Sequence, residues 1–70
     1  MLKANQTVYT VNNKTNSVDT WTFLGEFPAK DGLMCALMDN RGRQMIISSR
    51  CVFETEDDAI KVINGTKIFN

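Results

Sequence analysis

The chain has 70 residues, of which 43% are hydrophobic and 23% are charged. A chain of this length forms one domain, and its composition is that of a folding sequence. Its eight basic and eight acidic residues give zero net charge, which argues against a global attraction to nucleic acid or anionic lipid. We therefore expect a single domain over residues 1–70, in which residues 1–6 form a loose N-terminal arm.

Catalytic and metal chemistry is disfavoured by the residue types that are missing. Histidine is the usual general base at neutral pH and the commonest zinc ligand, and the sequence contains none. The two cysteines cannot complete a tetrahedral zinc site alone, and the four glycines are too scattered for a phosphate-binding loop. We expect no enzymatic activity, no metal and no cofactor.

Membrane association is disfavoured by the hydropathy pattern. No stretch approaches the ~18 consecutive apolar residues of a membrane helix. The N-terminal MLKANQTVYTV has no apolar run typical of a signal peptide. These features predict a cytoplasmic protein with no membrane partner.

The first two predicted strands are separated by a polar turn. TVYTV, residues 7–11, is β-branched and aromatic, and VDTWTFLG, residues 18–25, repeats that character after NNKTNS. In the second strand, Trp21 and Phe23 share a face with Asp19. We place this face inward, because its two aromatic side chains have the largest apolar area to bury.

EFPAKDG, residues 26–32, is predicted to be a connection and not a strand. Pro28 cannot donate to a strand ladder, and Asp31-Gly32 is a common turn dipeptide.

The following segment predicts a β-hairpin. The apolar runs LMCALMD and QMIISSRCVF flank DNRGR, in which Gly42 can adopt the left-handed conformation that closes a short turn. If Asp39 pairs with Arg43, Cys35 faces Ile47. Cys51 then lies four residues further along, at ~3.3 Å per residue, which is too far for a disulfide. We expect two free, buried thiols.

Both faces of this hairpin are apolar, which leaves two interpretations open. Leu33, Cys35, Leu37, Met45 and Ile47 fall on one side, and Met34, Ala36, Met38 and Ile46 fall on the other. A sheet in a small domain normally has one solvated face. Either the same chain covers both sides, or one side is covered by a partner or a second copy.

The C-terminal segment predicts a short helix. Thr55 is a good N-cap, and the acidic residues Glu56, Asp57 and Asp58 suit the first helical turn. Asn64-Gly65 is predicted to end the helix after about ten residues. TKIF, residues 66–69, is a candidate for a short final strand.

Together these elements predict an α+β fold. We expect a small antiparallel sheet of four to five strands that curls into a partly open, Src-homology-3-like barrel, with one C-terminal helix.

The pattern VYTV…VDTWTFLGEFPAKDGLMCALMDNRGRQMIISSRCVFETEDDAIKVI covers residues 7–63. It resembles short accessory reading frames carried by conjugative transposons and prophages of low-GC Gram-positive bacteria. The resemblance implies a mobile-element accessory protein that acts on other macromolecules. It transfers no functional residue.

The function predicted from these observations is that of a non-enzymatic protein-interaction module, which binds a protein partner or itself. The candidate surface contains three apolar residues and an arginine rim: Met34, Met38, Ile46, Arg41, Arg43 and Arg50. Core filling by the methionines is the alternative interpretation. The second candidate function is nucleic-acid binding by the same arginines with the strand aromatics Tyr9, Trp21 and Phe23.

Overall fold

The computed structural model describes the backbone of residues 2–69 and the side chains of residues 2–65. In chain order the elements are β1 (Thr7–Asn12), β2 (Ser17–Ala29), β3 (Gly32–Met38), β4 (Gln44–Ser48), a short 3-10 helix (Ser49–Cys51) and α1 (Glu56–Phe69). The strands form one antiparallel sheet in the order β1-β2-β3-β4. The fold is therefore α+β. The sheet is not closed, because β1 and β4 lie at its opposite ends.

The β3–β4 hairpin has the register predicted from its turn. Cys35 pairs with Ile47, and the main-chain N–H of Asp39 donates to the carbonyl of Arg43 at 2.9 Å. Gly42 has a φ of 83° and donates its N–H to the carbonyl of Asp39 at 3.2 Å. Only glycine adopts this φ without strain, which is why the chain reverses here. Both cysteines are free, as predicted.

β2 is longer than predicted, because it continues through the segment expected to be a connection. It runs to Ala29, and residues 30 and 31 form a two-residue turn into β3. The register shifts between Phe23 and Gly25, which marks a β-bulge. Pro28 is tolerated because β1 pairs with β2 only as far as Thr22, so this end of β2 has one open edge.

The main core lies on the inner side of the curled sheet. Its fully buried members are Val8, Phe23, Cys35 and Leu37, and Leu2, Trp21, Met45, Ile47 and Val52 pack against them. The predicted inward face of β2 is therefore confirmed, although Trp21 is only half-buried. Its indole Nε1 donates to Thr10 Oγ1 at 2.8 Å, so the polar atom of the ring is satisfied inside the fold.

The N-terminal segment makes contacts that the sequence does not predict. The N–H of Asn5 donates to the carbonyl of Phe23, and the N–H of Phe23 donates to the carbonyl of Gln6, both at 2.8 Å. Leu2 packs on the main core. These bonds extend the β1–β2 pairing by about one residue and attach the segment to β2.

α1 begins as predicted but ends later. The Oγ1 of Thr55 accepts from the N–H of Asp58 at 3.2 Å, which confirms the N-cap. The helix then continues through Asn64 and Gly65 to Phe69, so the predicted stop and the predicted final strand over residues 66–69 are both wrong. Glycine disfavours a helix by only about 1 kcal/mol, and it does not terminate one that other contacts hold.

The segment between the 3-10 helix and α1 returns to the first strand. Phe53 and Tyr9 exchange both main-chain hydrogen bonds, N–H of Tyr9 to the Phe53 carbonyl at 2.9 Å and N–H of Phe53 to the Tyr9 carbonyl at 2.8 Å. This bridge occupies the outer edge of β1. It also positions α1, which packs against β1 and β2.

Candidate functional site

The outer side of β2, β3 and β4 carries three rows of paired residues. The rows are Thr22–Met38–Gln44, Gly25–Ala36–Ile46 and Phe27–Met34–Ser48. Directly paired residues in a sheet point to the same side. The rows therefore bring together five apolar side chains, which we call the methionine face: Phe27, Met34, Ala36, Met38 and Ile46. The predicted residues Met34, Met38 and Ile46 all belong to it.

α1 covers a different part of the same side. Val18 points to this side of β2 and lines a shallow groove with Ile60 and Ile63 of α1. Val11, which pairs with Val18, lines a second groove with Val62. The described part of α1 makes no comparable packing with β3 or β4. The helix thus covers the end of β1 and β2 that contains Val11 and Val18, and it leaves β3 and β4 open.

The methionine face is accordingly accessible to solvent. Ile46 is 54% exposed and Phe27 is 41% exposed, and Met34, Ala36 and Met38 are half-buried by their neighbours on the sheet. Gly25 lies in the middle row, and a Cβ added there would meet nothing within 4 Å. The face is therefore low at Gly25 and the neighbouring Ala36, and larger side chains, including Ile46 in the same row, stand around these two positions.

Two of the three arginines lie in the β3–β4 turn beside this face. Asp39 organises the turn: its Oδ1 accepts from the N–H groups of Arg41 and Arg43 at 2.9 and 2.8 Å. Its Oδ2 accepts from Arg43 Nε at 2.9 Å. Burial alone would raise the pKa of Asp39, but these bonds and the guanidinium charge hold it below the ordinary value. The guanidinium of Arg41 remains exposed.

The third arginine lies beyond the other end of β4. Arg50 is exposed in the 3-10 helix, whose N-cap Ser48 accepts from the Arg50 N–H at 3.4 Å. The five residues of β4 span roughly 15 Å. The arginines therefore flank β4 at its two ends and do not form one cluster.

Arg50 borders an apolar groove of about 540 Å³ that is separate from the methionine face. Its lining is Val11, Asn13, Ile47, Arg50, Cys51, Phe53 and Val62.

The exposed position of Cys51 contradicts the prediction that both thiols are buried. The 3-10 helix turns the chain away from the core directly after β4, so the residue does not continue the alternation of the strand.

The buried thiol of Cys35 lies in an environment that disfavours its reactive, deprotonated form. Burial raises its pKa, and the nearby carboxylate of Glu26, whose Oε2 lies 3.9 Å from Sγ, raises it further. The thiolate is the nucleophilic form of cysteine. At neutral pH Cys35 is therefore a protonated core residue and not a nucleophile.

The residues proposed for nucleic-acid binding are brought together only in part. Phe23 is 4% exposed and cannot stack on a base. Trp21 lines a groove with Lys14, Asp19 and Met45, among others, and Arg41, Arg43 and Arg50 do not line that groove. Stacking and phosphate contacts need to act on one stretch of strand. Trp21 also lines a second groove with Met38 and Asn40, and Asn40 precedes Arg41 in the β3–β4 turn.

Among the residues that the structure describes, no three potential metal-binding side chains are grouped. Within the same part of the chain, no helix combines the length and the hydropathy needed to cross a membrane. No protein-family model, curated protein or solved structure matches the chain.

Phe27 is the member of the methionine face that the sequence did not reveal. Before the bulge, odd-numbered residues of β2 such as Trp21 and Phe23 point inward. After it, Phe27 pairs with Met34 and points outward. The glycine at position 25, inside an apolar strand, is the signal that could have indicated a bulge at this point.

Proposed function

We propose that the protein is a small, non-enzymatic interaction module that binds a protein partner through the methionine face. One observation carries the proposal: α1 packs only on β1 and β2, at the end that contains Val11 and Val18, and leaves the apolar outer side of β3 and β4 exposed. A domain of this size has few apolar residues to spare, so five on one open face favour an interface. Methionine side chains suit such a surface because they adapt to the shape of a partner.

The proposed architecture is a partly open, Src-homology-3-like barrel. Support comes from the Tyr9–Phe53 bridge, which brings the segment after the 3-10 helix back to the first strand. The likeness of residues 7–63 to mobile-element reading frames supports an accessory role in such an element, where a protein without catalytic groups acts through its partners.

The test is capture of partners from an extract of the native host with matched surface variants. The double variant Met38→Lys/Ile46→Lys places two charges on the methionine face and should lose the captured protein. Leu33→Lys is the control, because Leu33 is 49% exposed on the opposite side of the same hairpin. Equal capture by wild type and the double variant would contradict the proposal.

Nucleic-acid binding is the second candidate, supported by the exposure of Arg41 and Arg50, although the zero net charge of the chain supplies no general attraction to phosphate. Phosphate contacts by arginine make affinity fall steeply with salt. If the chain retains nucleic acid in the same experiment, and Arg41→Gln/Arg50→Gln removes it while Met38→Lys/Ile46→Lys does not, this second function replaces the first.

A further inference from the structure

β4 is an open edge strand whose free main-chain groups can be identified. Asp39 and Arg43 form a hydrogen-bonded pair, and hydrogen-bonded and non-hydrogen-bonded pairs alternate along an antiparallel ladder. Met45 and Ile47 therefore bond to β3. The N–H groups of Gln44, Ile46 and Ser48 and the C=O groups of Gln44 and Ile46 point away from β3, toward the side where the described chain places no strand. The C=O of Ser48 belongs to the N-cap of the 3-10 helix.

The other edges are protected, and this one is not. Phe53 occupies the edge of β1, and Pro28 lies on the open stretch of β2. Proline, charged side chains and bulges are the usual devices that block strand addition. QMIIS, the sequence of β4, contains none of these, and its central residue Ile46 is 54% exposed.

The open edge and the methionine face are parts of one surface. Gln44, Ile46 and Ser48, whose main chain faces outward, also direct their side chains to the methionine-face side. An added strand would extend the rows of the sheet, and its alternate side chains would lie beside Ile46 at the margin of the methionine face. Main-chain bonds would supply affinity, and the alternate side chains would supply specificity.

The arginines at the two ends of β4 indicate the charge of the segment that would pair with this strand. Two copies pairing antiparallel about Ile46 would bring the Arg41–Arg43 turn of each copy toward Arg50 of the other, which places like charges together. An extended segment with carboxylates at its ends avoids this repulsion. We infer that β4 accepts an extended segment of another protein that is apolar at alternate positions and acidic at both ends.

This inference depends on the proposed function, and peptide selection tests it directly. A displayed library of random linear peptides is selected on the full chain and counter-selected on Ile46→Pro. That variant removes an outward N–H without breaking a β3–β4 bond. Ile46→Thr is its matched control, because it keeps the N–H while removing apolar surface. The enriched peptides should alternate apolar residues, carry acidic ends, and bind Ile46→Pro at least roughly ten-fold more weakly than Ile46→Thr.

Amide hydrogen exchange on the wild-type chain gives a readout that needs no variant to fold. An enriched peptide should slow exchange at Gln44, Ile46 and Ser48. Binding that leaves these amides unprotected overturns strand addition, while the proposed function survives through contact with the methionine face alone. Enrichment of basic peptides, no enrichment at all, or concentration-dependent dimerisation that protects the same amides also overturns the inference.

Discussion

At the scale of single residues, Asp39 determines the shape of the β3–β4 turn. Its carboxylate accepts from two main-chain N–H groups and from the Arg43 guanidinium. All three bonds favour the ionised form and lower the pKa, against the opposing effect of burial. A carboxyl whose pKa is lower in the folded state stabilises the fold above its ordinary pKa, and this stabilisation is lost as pH falls.

Replacing Asp39 should therefore make the free energy of unfolding depend less on pH in the acid range. Asp39→Asn removes the titrating group, so the free energy of unfolding should decrease less than in wild type between neutral pH and the acid range below the ordinary aspartate pKa. Urea unfolding at a series of pH values measures this. Arg41→Gln is the control, since it keeps the main-chain bond to Asp39. Parallel profiles for wild type and Asp39→Asn would refute the assignment.

The turn is also the part of the molecule that sequence predicts best. Asp39 and Gly42 act through local geometry, so their identities determine the register, and the register places Met34, Met38 and Ile46 on one face. The exposure of Cys51 could not be predicted from the sequence in the same way. It depends on a 3-10 helix for which the residues after β4 give no comparable local signal.

At the scale of elements, β2 and α1 depart from prediction for related reasons. Local signals indicated a break in each: Pro28 in the strand, and Asn64-Gly65 in the helix. Both elements continue across the signal. Proline on an open edge and glycine in a helix each have a small free-energy cost. The surrounding contacts are sufficient to offset it. The bulge in β2 then reverses which residues face outward, so Phe27 could not be assigned by alternation.

The continuity of α1 can be tested at Gly65. A Cβ at this position would meet nothing within 4 Å, so Gly65→Ala should stabilise the protein by up to ~1 kcal/mol through helix propensity. Thermal or urea unfolding reads out the change. Ala in place of a left-handed C-terminal glycine would instead be destabilising. A loss of stability would therefore favour a helix that ends at Asn64.

At the scale of the whole molecule, the sheet separates two apolar clusters. The main core fills the inner side, and α1 buries Ala59 and Ile63 where it packs on β1 and β2. The sequence predicts the inner layer from the inward face of β2, and it predicts a C-terminal helix. It does not predict how far the helix reaches across the sheet, because that depends on the Tyr9–Phe53 bridge, a contact between distant parts of the chain.

The second cluster should depend on one helix residue. Ile63 is 7% exposed and Ile60 is 37% exposed on the same helix. Ile63→Ala should lower the free energy of unfolding by ~2–5 kcal/mol, because it leaves a cavity between the layers. Ile60→Ala is the matched control and should cost less than half as much. Equal losses in the two variants, measured by urea unfolding, would mean that α1 packs on a different face.

The exchange of hydrogen bonds between Tyr9 and Phe53 makes the two edges of the sheet unequal in their capacity to pair with another strand. A protein whose sheet has two open edges can add further copies at each edge without limit, as in a fibre. In this molecule the chain itself occupies the middle of one edge, at Tyr9, whereas the edge at β4 is open. If the proposed strand addition occurs, it is therefore directed to the β4 edge, and pairing of further strands through the β1 edge is disfavoured.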